Sequence, residues 1–151
     1  MKYWLMKTEP LTFSIDHLKK LGKTPWEGVR NYQARNYMRD GMKVGDLALF
    51  YHSNAAAIGV AGVGRVCKSA YPDFTALDPK SKYYDPKSTP ENPRWMMVDL
   101  EFVEKFPKLI TLEELKLLPE LKTMLVIKRG MRLSVQPVEK KHFEVVRRMG
   151  V

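Results

Sequence analysis

The sequence predicts an α+β domain built around a small β-barrel, and three observations carry that expectation. Extended apolar or alternating segments recur at Leu47–His52, at 58–67 and at 95–106. Short amphipathic segments with start and stop signals stand at their margins. A length of 151 residues suits one domain, read as residues 1–151, with a core that needs no covalent staples.

Residues 2–7 read as a strand entering the core. Ser14 is placed to cap a helix over Ile15–Leu21, with Asp16 in its first turn and Gly22 as its stop. A second helix is expected over 32–40, closed by Gly41. Ala34, Tyr37 and Met38 fall on its core side, and Tyr32, Arg35, Asn36 and Arg39 on the other. A turn at 43–46 feeds the strand Leu47–His52. The run 58–67 carries Gly59, Gly62 and Gly64, which permit tight curvature or close backbone approach. In 95–106, Met96, Val98, Leu100, Phe102 and Phe106 share one face, and Asp99, Glu101 and Lys105 the other. Thr111 and Glu114 form a capping box, with Ile110 and Leu115 as its staple. An extended segment over 132–138 and a C-terminal helix over 139–149 complete the pattern.

Between strands lies 71–94, where Pro72, Pro79, Pro86, Pro90 and Pro93 exclude helix and central strand. Tyr71, Phe74, Tyr83 and Tyr84 make this segment too aromatic for a disordered linker, so it reads as an ordered loop packed on the domain.

Lys and Arg number 26 against 17 Asp and Glu, a net charge of +9. That excess points to an anionic partner, most simply phosphate backbone; a basic surface that serves solubility is the plain alternative. Cys67 is the only cysteine, which excludes an internal disulfide and a cysteine-rich zinc site. It reads as a buried structural thiol. The apolar run at the N-terminus is too short for a signal peptide and no segment reaches membrane-spanning length, so a cytoplasmic location without membrane association is expected. His17, His52 and His142 lack metal-ligand spacing, and there is no Gly-rich phosphate loop or nucleophile elbow. No metal or cofactor is expected.

The densest chemistry lies in 26–36, Trp-Glu-Gly-Val-Arg-Asn-Tyr-Gln-Ala-Arg-Asn, where rings, amides and guanidinium groups interleave at a helix N-terminus. The amides of Asn31, Gln33 and Asn36 both donate and accept, as a base edge requires; for Asn31, simple helix capping is equally open. Tyr51, His52, Ser53 and Asn54 put polar groups at a strand end. Arg132, Ser134 and Gln136 alternate onto one face, which is either a site or a solvated edge.

Taken together, 26–36, Phe50-Tyr51-His52-Ser53, Tyr71-Pro72-Asp73, Tyr84-Asp85-Pro86, Pro93-Arg94-Trp95, 132–137 and the opening 4–10 resemble an EVE domain across nearly the whole chain. The resemblance implies a PUA-like fold, a small mixed β-barrel flanked by short helices, in the superfamily that includes YTH and SRA domains. It also implies a nucleic-acid partner and a pocket for one base, with a modified cytosine in DNA favoured over an RNA base of the YTH kind. Carried over by position, Trp26, Arg30, Asn31, Tyr51, His52, Ser53, Trp95, Ser134 and Gln136 are expected at or near that pocket.

In this reading a captured base stacks on Trp26 or Trp95 while Asn31, Ser53 and Gln136 read its edge. Arg30, Arg35, Arg39 and Arg132 meet phosphates. Replacing Trp26 by Ala is expected to abolish base-dependent binding and leave the fold intact. The rival is a small hydrolase acting on modified pyrimidine nucleosides, for which Lys7, Thr8 and Glu9 supply an amine, a hydroxyl and a carboxylate. Because neighbours in a strand alternate, a Lys7–Glu9 ion pair supporting the pocket is the preferred role. A third possibility is a partner or phosphate surface on the C-terminal helix, at Lys140, Lys141, Arg147 and Arg148.

Overall fold

A computed structural model describes all 151 residues, Met1–Val151. Six strands form one mixed sheet: β1 (Tyr3–Thr8), β2 (Lys23–Pro25), β3 (Leu47–His52), β4 (Gly59–Pro72), β5 (Met96–Thr111) and β6 (Val135–Val138). Their order is β2-β5-β4-β3-β1-β6, with β1 and β3 parallel and every other pair antiparallel. Helices α1 (Ile15–Leu21), α2 (Tyr32–Asn36), α3 (Leu112–Leu117) and α4 (Lys140–Gly150) flank it. The α+β architecture is present, but the expected barrel does not close. Its edges β2 and β6 are only three and four residues long and pair on one side only, leaving a gap between them.

The alternation of strand side chains explains where the core lies. On β1 and β3, Trp4, Met6, Ala48 and Phe50 enter one cluster with Trp26, Ala34 and Met38. Leu5, Leu49 and Tyr51 enter a second cluster with Leu115 of α3 and Phe143 and Val146 of α4. The sheet is therefore covered on both faces, and the two clusters divide its side chains.

Local chemistry sets the helix boundaries. Ser14 accepts from the His17 backbone N–H while His17 Nδ1 accepts from the Ser14 N–H, a reciprocal cap that starts α1. Thr111 and Glu114 do the same for α3. The helix expected over 32–40 is α-helical only to Asn36. It then widens into a π-turn over Tyr37–Gly41, in which the Met42 N–H reaches the Tyr37 carbonyl.

β4 and β5 run farther than their apolar patterns and pair through several bulges. One irregular stretch lies between the pairs Gly62–Lys105 and Val60–Ile110, and it accommodates Pro107. Gly62 is needed there because a Cβ would overlap the Glu104 carbonyl. The bulges also break the simple alternation of β5: Met97 and Val98 are both fully buried, while Met96 and Phe102 are half-buried. Cys67 is half-buried, and burial together with Glu101 and Asp99 pushes its thiol up. No helix is long and apolar enough to cross a membrane.

Candidate functional site

The gap between the open edges holds a cavity of about 490 Å³, within the range of small-ligand pockets. Both edges contribute: Thr24 and Pro25 from β2, and Arg132 and Ser134 from the segment entering β6. Lys7 and Thr8 at the end of β1, the turn residues Glu9, Thr12 and Phe13, and Ser53 after β3 form another wall. Residues 26–30 and the loop residues Lys82 and Tyr83 close it. Four cations and two carboxylates line the cavity, with hydroxyl groups between them.

Trp26 is 7% exposed and belongs to both the wall and the core. Its backbone N–H donates to the Val98 carbonyl, extending the β2–β5 pairing by one bond. Its ring meets Phe50 edge-on at 5.6 Å and Phe13 at 6.5 Å. Truncating it would remove core packing as well as a pocket wall, so Trp26→Ala is not the fold-neutral probe that the sequence implied.

Arg30 reaches the cavity with all five of its N–H groups already engaged. Nη1 donates to Asp73 at 3.0 Å and to the Val29 carbonyl, Nη2 to Thr75 and the Tyr83 carbonyl, and Nε to that same carbonyl. The guanidinium also lies 5.4 Å from the Tyr83 ring and 5.3 Å from that of Trp95. Asp73 is buried and accepts further from the Gly28 N–H and from Thr75. Burial pushes its carboxyl up, but hydrogen bonds from Thr75, Gly28 and Arg30 outweigh that and hold it below its ordinary value. The 71–94 loop is thus stapled to the segment after β2, as an ordered loop.

Gly28 has φ +82°, and a Cβ there would overlap the Tyr83 ring. Its neighbour Glu27 lines the cavity, and burial and the charge of Asp73 raise its carboxyl. Lys7 is pulled below its ordinary value by burial; its Nζ lies 3.4 Å from the Met131 carbonyl and 5.6 Å from the Tyr51 ring centre. Thr8 donates to the Phe13 carbonyl and Glu9 accepts from Asn54. Each of the three has its own partner, so the expected Lys7–Glu9 ion pair is not formed.

Of the residues expected at the site, Trp26, Arg30, Ser53, Arg132 and Ser134 line the cavity. The others lie elsewhere. Asn31 caps α2, accepting from the Ala34 N–H at 3.0 Å, which is the simpler of its two readings. Tyr51 faces the second core cluster, and burial raises its hydroxyl. His52 accepts from the Ile15 N–H through Nε2 at 3.1 Å and so anchors the start of α1. Trp95 stands behind Arg30, donating to Asp85 and stacked on Tyr32 at 4.8 Å.

Gln136 is 1% exposed and donates to the Leu133 carbonyl. It is paired opposite Leu5, whose side chain enters the second core cluster, and it is not part of the cavity wall. Arg35 donates to the Arg94 carbonyl and covers the Tyr32 ring, while Arg39 pairs with Asp40. Sequence reasoning missed Thr12, Phe13, Thr24, Lys82 and Tyr83 as wall residues. Only the aromatic character of the 71–94 loop pointed toward the last of them.

A family model described as EVE domain matches residues 2–149. Thymocyte nuclear protein 1 of Homo sapiens is 43% identical, over 95% of this chain and 72% of that protein. Among solved structures, a hypothetical protein from Leishmania major is 51% identical, with a TM-score of 0.95 over 99% of this chain and 94% of that one. The human THYN1 protein in complex with 5-methylcytosine containing DNA is 41% identical, with a TM-score of 0.93 over 99% and 98% of the two chains.

Proposed function

The chain belongs to the EVE-domain family, and from that premise we propose that it is a nucleic-acid-binding module that captures a single base, with a modified cytosine in DNA favoured. The observation that carries the reading is the cavity itself: an indole and a phenyl ring, hydroxyl groups and a cationic border enclose one space of ligand size. The related human protein was solved with DNA that contains 5-methylcytosine, which supports this choice of base.

Unstacking a nucleotide costs a few kcal/mol. Contact with the rings of Trp26 and Phe13 returns ~1–3 kcal/mol, so phosphate contacts must supply the remainder. Lys82 and Arg132 are the exposed cations of the border and are assigned that role. Ser53, Ser134 and Thr12 supply hydroxyl groups for the base edge. Arg30 acts as a positioning residue and a fixed positive charge, because its donors are spent within the protein.

The hydrolase alternative is weakened by the separate partners of Lys7, Thr8 and Glu9. Incubation with modified pyrimidine nucleosides and chromatography for product separates the two. The binding test is a panel of short oligonucleotides that differ only in one cytosine, 5-methylcytosine, thymine or adenine. It is run with wild type and with Ser53→Phe, which fills the cavity without changing charge. The expected result is a preference for one base that disappears in the variant; a preference unchanged by filling the cavity refutes the reading.

A further inference from the structure

We propose that Leu11 is the wedge with which this protein opens a double helix, so that the cavity takes its base from duplex DNA. The proposal rests on the base-capture reading above and goes beyond it by naming the form of the substrate and the residue that selects it.

Leu11 is 97% exposed. A single exposed leucine needs no explanation in general, and Leu21, Leu117 and Val44 are also exposed here. Leu11 differs from them in place and in rigidity. It lies two residues after Glu9 and one before Thr12, both of which line the cavity, so its turn borders the wall while its own side chain stays outside it. Its turn is held from both ends: the Thr12 and Phe13 N–H groups donate to the Glu9 carbonyl at 3.0 and 2.9 Å, and Thr8 donates to the Phe13 carbonyl at 3.0 Å. Pro10, directly before Leu11, has its own φ fixed by its ring. Phe13 is pinned against Trp26 and Phe50. The chain therefore holds a large aliphatic side chain in water on a rigid mount, beside the space assigned to the base.

Withdrawing a base from a duplex leaves a gap in the stack. Proteins that unstack DNA commonly fill such gaps with Leu, Ile, Phe, Met or Pro. The exposed cations Lys82 and Arg132 of the cavity wall can hold phosphates near the opened step. In a single strand there is no gap to fill, so Leu11 should matter only for paired substrates. That asymmetry is the test.

Leu11→Ser and wild type are compared on three probes, each alongside its unmethylated counterpart: a duplex with one 5-methylcytosine opposite guanine, the methylated strand alone, and a duplex with 5-methylcytosine opposite an abasic site. Because Leu11 touches no core residue cluster, the variant is expected to fold normally, as checked by its unfolding midpoint. The expected loss is on the order of tenfold on the paired duplex, the scale of burying one leucine, with less than about twofold on the single strand. The abasic duplex should fall between them. A 2-aminopurine placed next to the methylcytosine should brighten with wild type and less with the variant.

Equal losses on duplex and single strand, or no loss on duplex, overturn the proposal. If wild type binds the methylated strand but not the duplex, the wedge is refuted and base capture stands. If wild type distinguishes 5-methylcytosine in none of the probes, base capture itself fails and the wedge falls with it.

Discussion

Arg30 Nη1 lies 3.0 Å from Asp73 Oδ2, and the side chain of that aspartate is fully buried. This pair joins the two segments richest in aromatic residues, 26–36 and 71–94, although 43 positions separate them in the chain. It explains why an arginine facing the cavity is not available to bind anything. The same pair sets the position of Tyr83, whose carbonyl takes two more Arg30 hydrogen bonds and whose ring forms part of the wall.

Removing the carboxylate leaves Arg30 without its ion partner and two backbone N–H groups, those of Gly28 and Thr75, without acceptors. Asp73→Ala should lower the unfolding free energy by about 3 kcal/mol. It should also make the loop around Lys80, Lys82 and Lys87 sensitive to trypsin. Urea denaturation and limited proteolysis check the two effects separately.

Gly22 and Gly28 both have φ +82°, but only Gly28 has a ring against it. Alanine at either position should cost about 1 kcal/mol for the left-handed backbone. Gly28→Ala should in addition push the Tyr83 ring out of the wall and weaken oligonucleotide binding, whereas Gly22→Ala should bind normally. Paired denaturation and binding measurements on the two variants test this.

His52 must be unprotonated at Nε2 to accept from Ile15. Burial lowers its pKa; Asp16 raises it in part and Lys105 lowers it further. The unfolded chain therefore binds more protons at this site, and its contribution to stability is whole above about pH 6.5 and lost as pH falls through the folded value. Denaturation midpoints should fall with acidity in that window, and His52→Gln should show a shallower slope.

Much of the fold was legible in the residues because its signals are local. Ser14 and Thr111 cap where hydroxyl residues precede periodic apolar runs, and β3 is a continuous apolar run fed by a Gly-Asp turn. β2 was not legible. Lys23-Thr24-Pro25 has no apolar pattern, and it becomes a strand only because the edge of β5 is there to pair with it. The site was half legible for the same reason. Trp26 opens the dense aromatic and amide run 26–36 and Ser53 directly follows the apolar strand β3, both local signals, whereas Lys82 and Tyr83 come from a loop distant in sequence that Arg30 holds through the Tyr83 carbonyl. Gln136 misled because its polarity is met inside the protein: buried opposite Leu5, it donates to the Leu133 carbonyl.

If Lys82 and Arg132 make the proposed phosphate contacts, affinity should fall as salt rises, with a log–log slope of about −2 on a duplex. Arg132→Ala should make that slope shallower by about one without altering which base is preferred. Arg39→Ala should leave both unchanged, since Arg39 lies outside the cavity and is paired with Asp40. Fluorescence anisotropy at several salt concentrations reads both quantities.

In the proposed mode of binding, the base enters the gap between β2 and β6. A nuclear magnetic resonance titration of the nitrogen-15-labelled protein with a 5-methylcytosine oligonucleotide tests it most directly. The expected result is that the Trp26 indole N–H and the amides of Gly28, Ser53 and Ser134 shift strongly, while those of Tyr51 and Gln136 shift little. Shifts confined to α4, with the Trp26 indole and Ser53 unmoved, would contradict it.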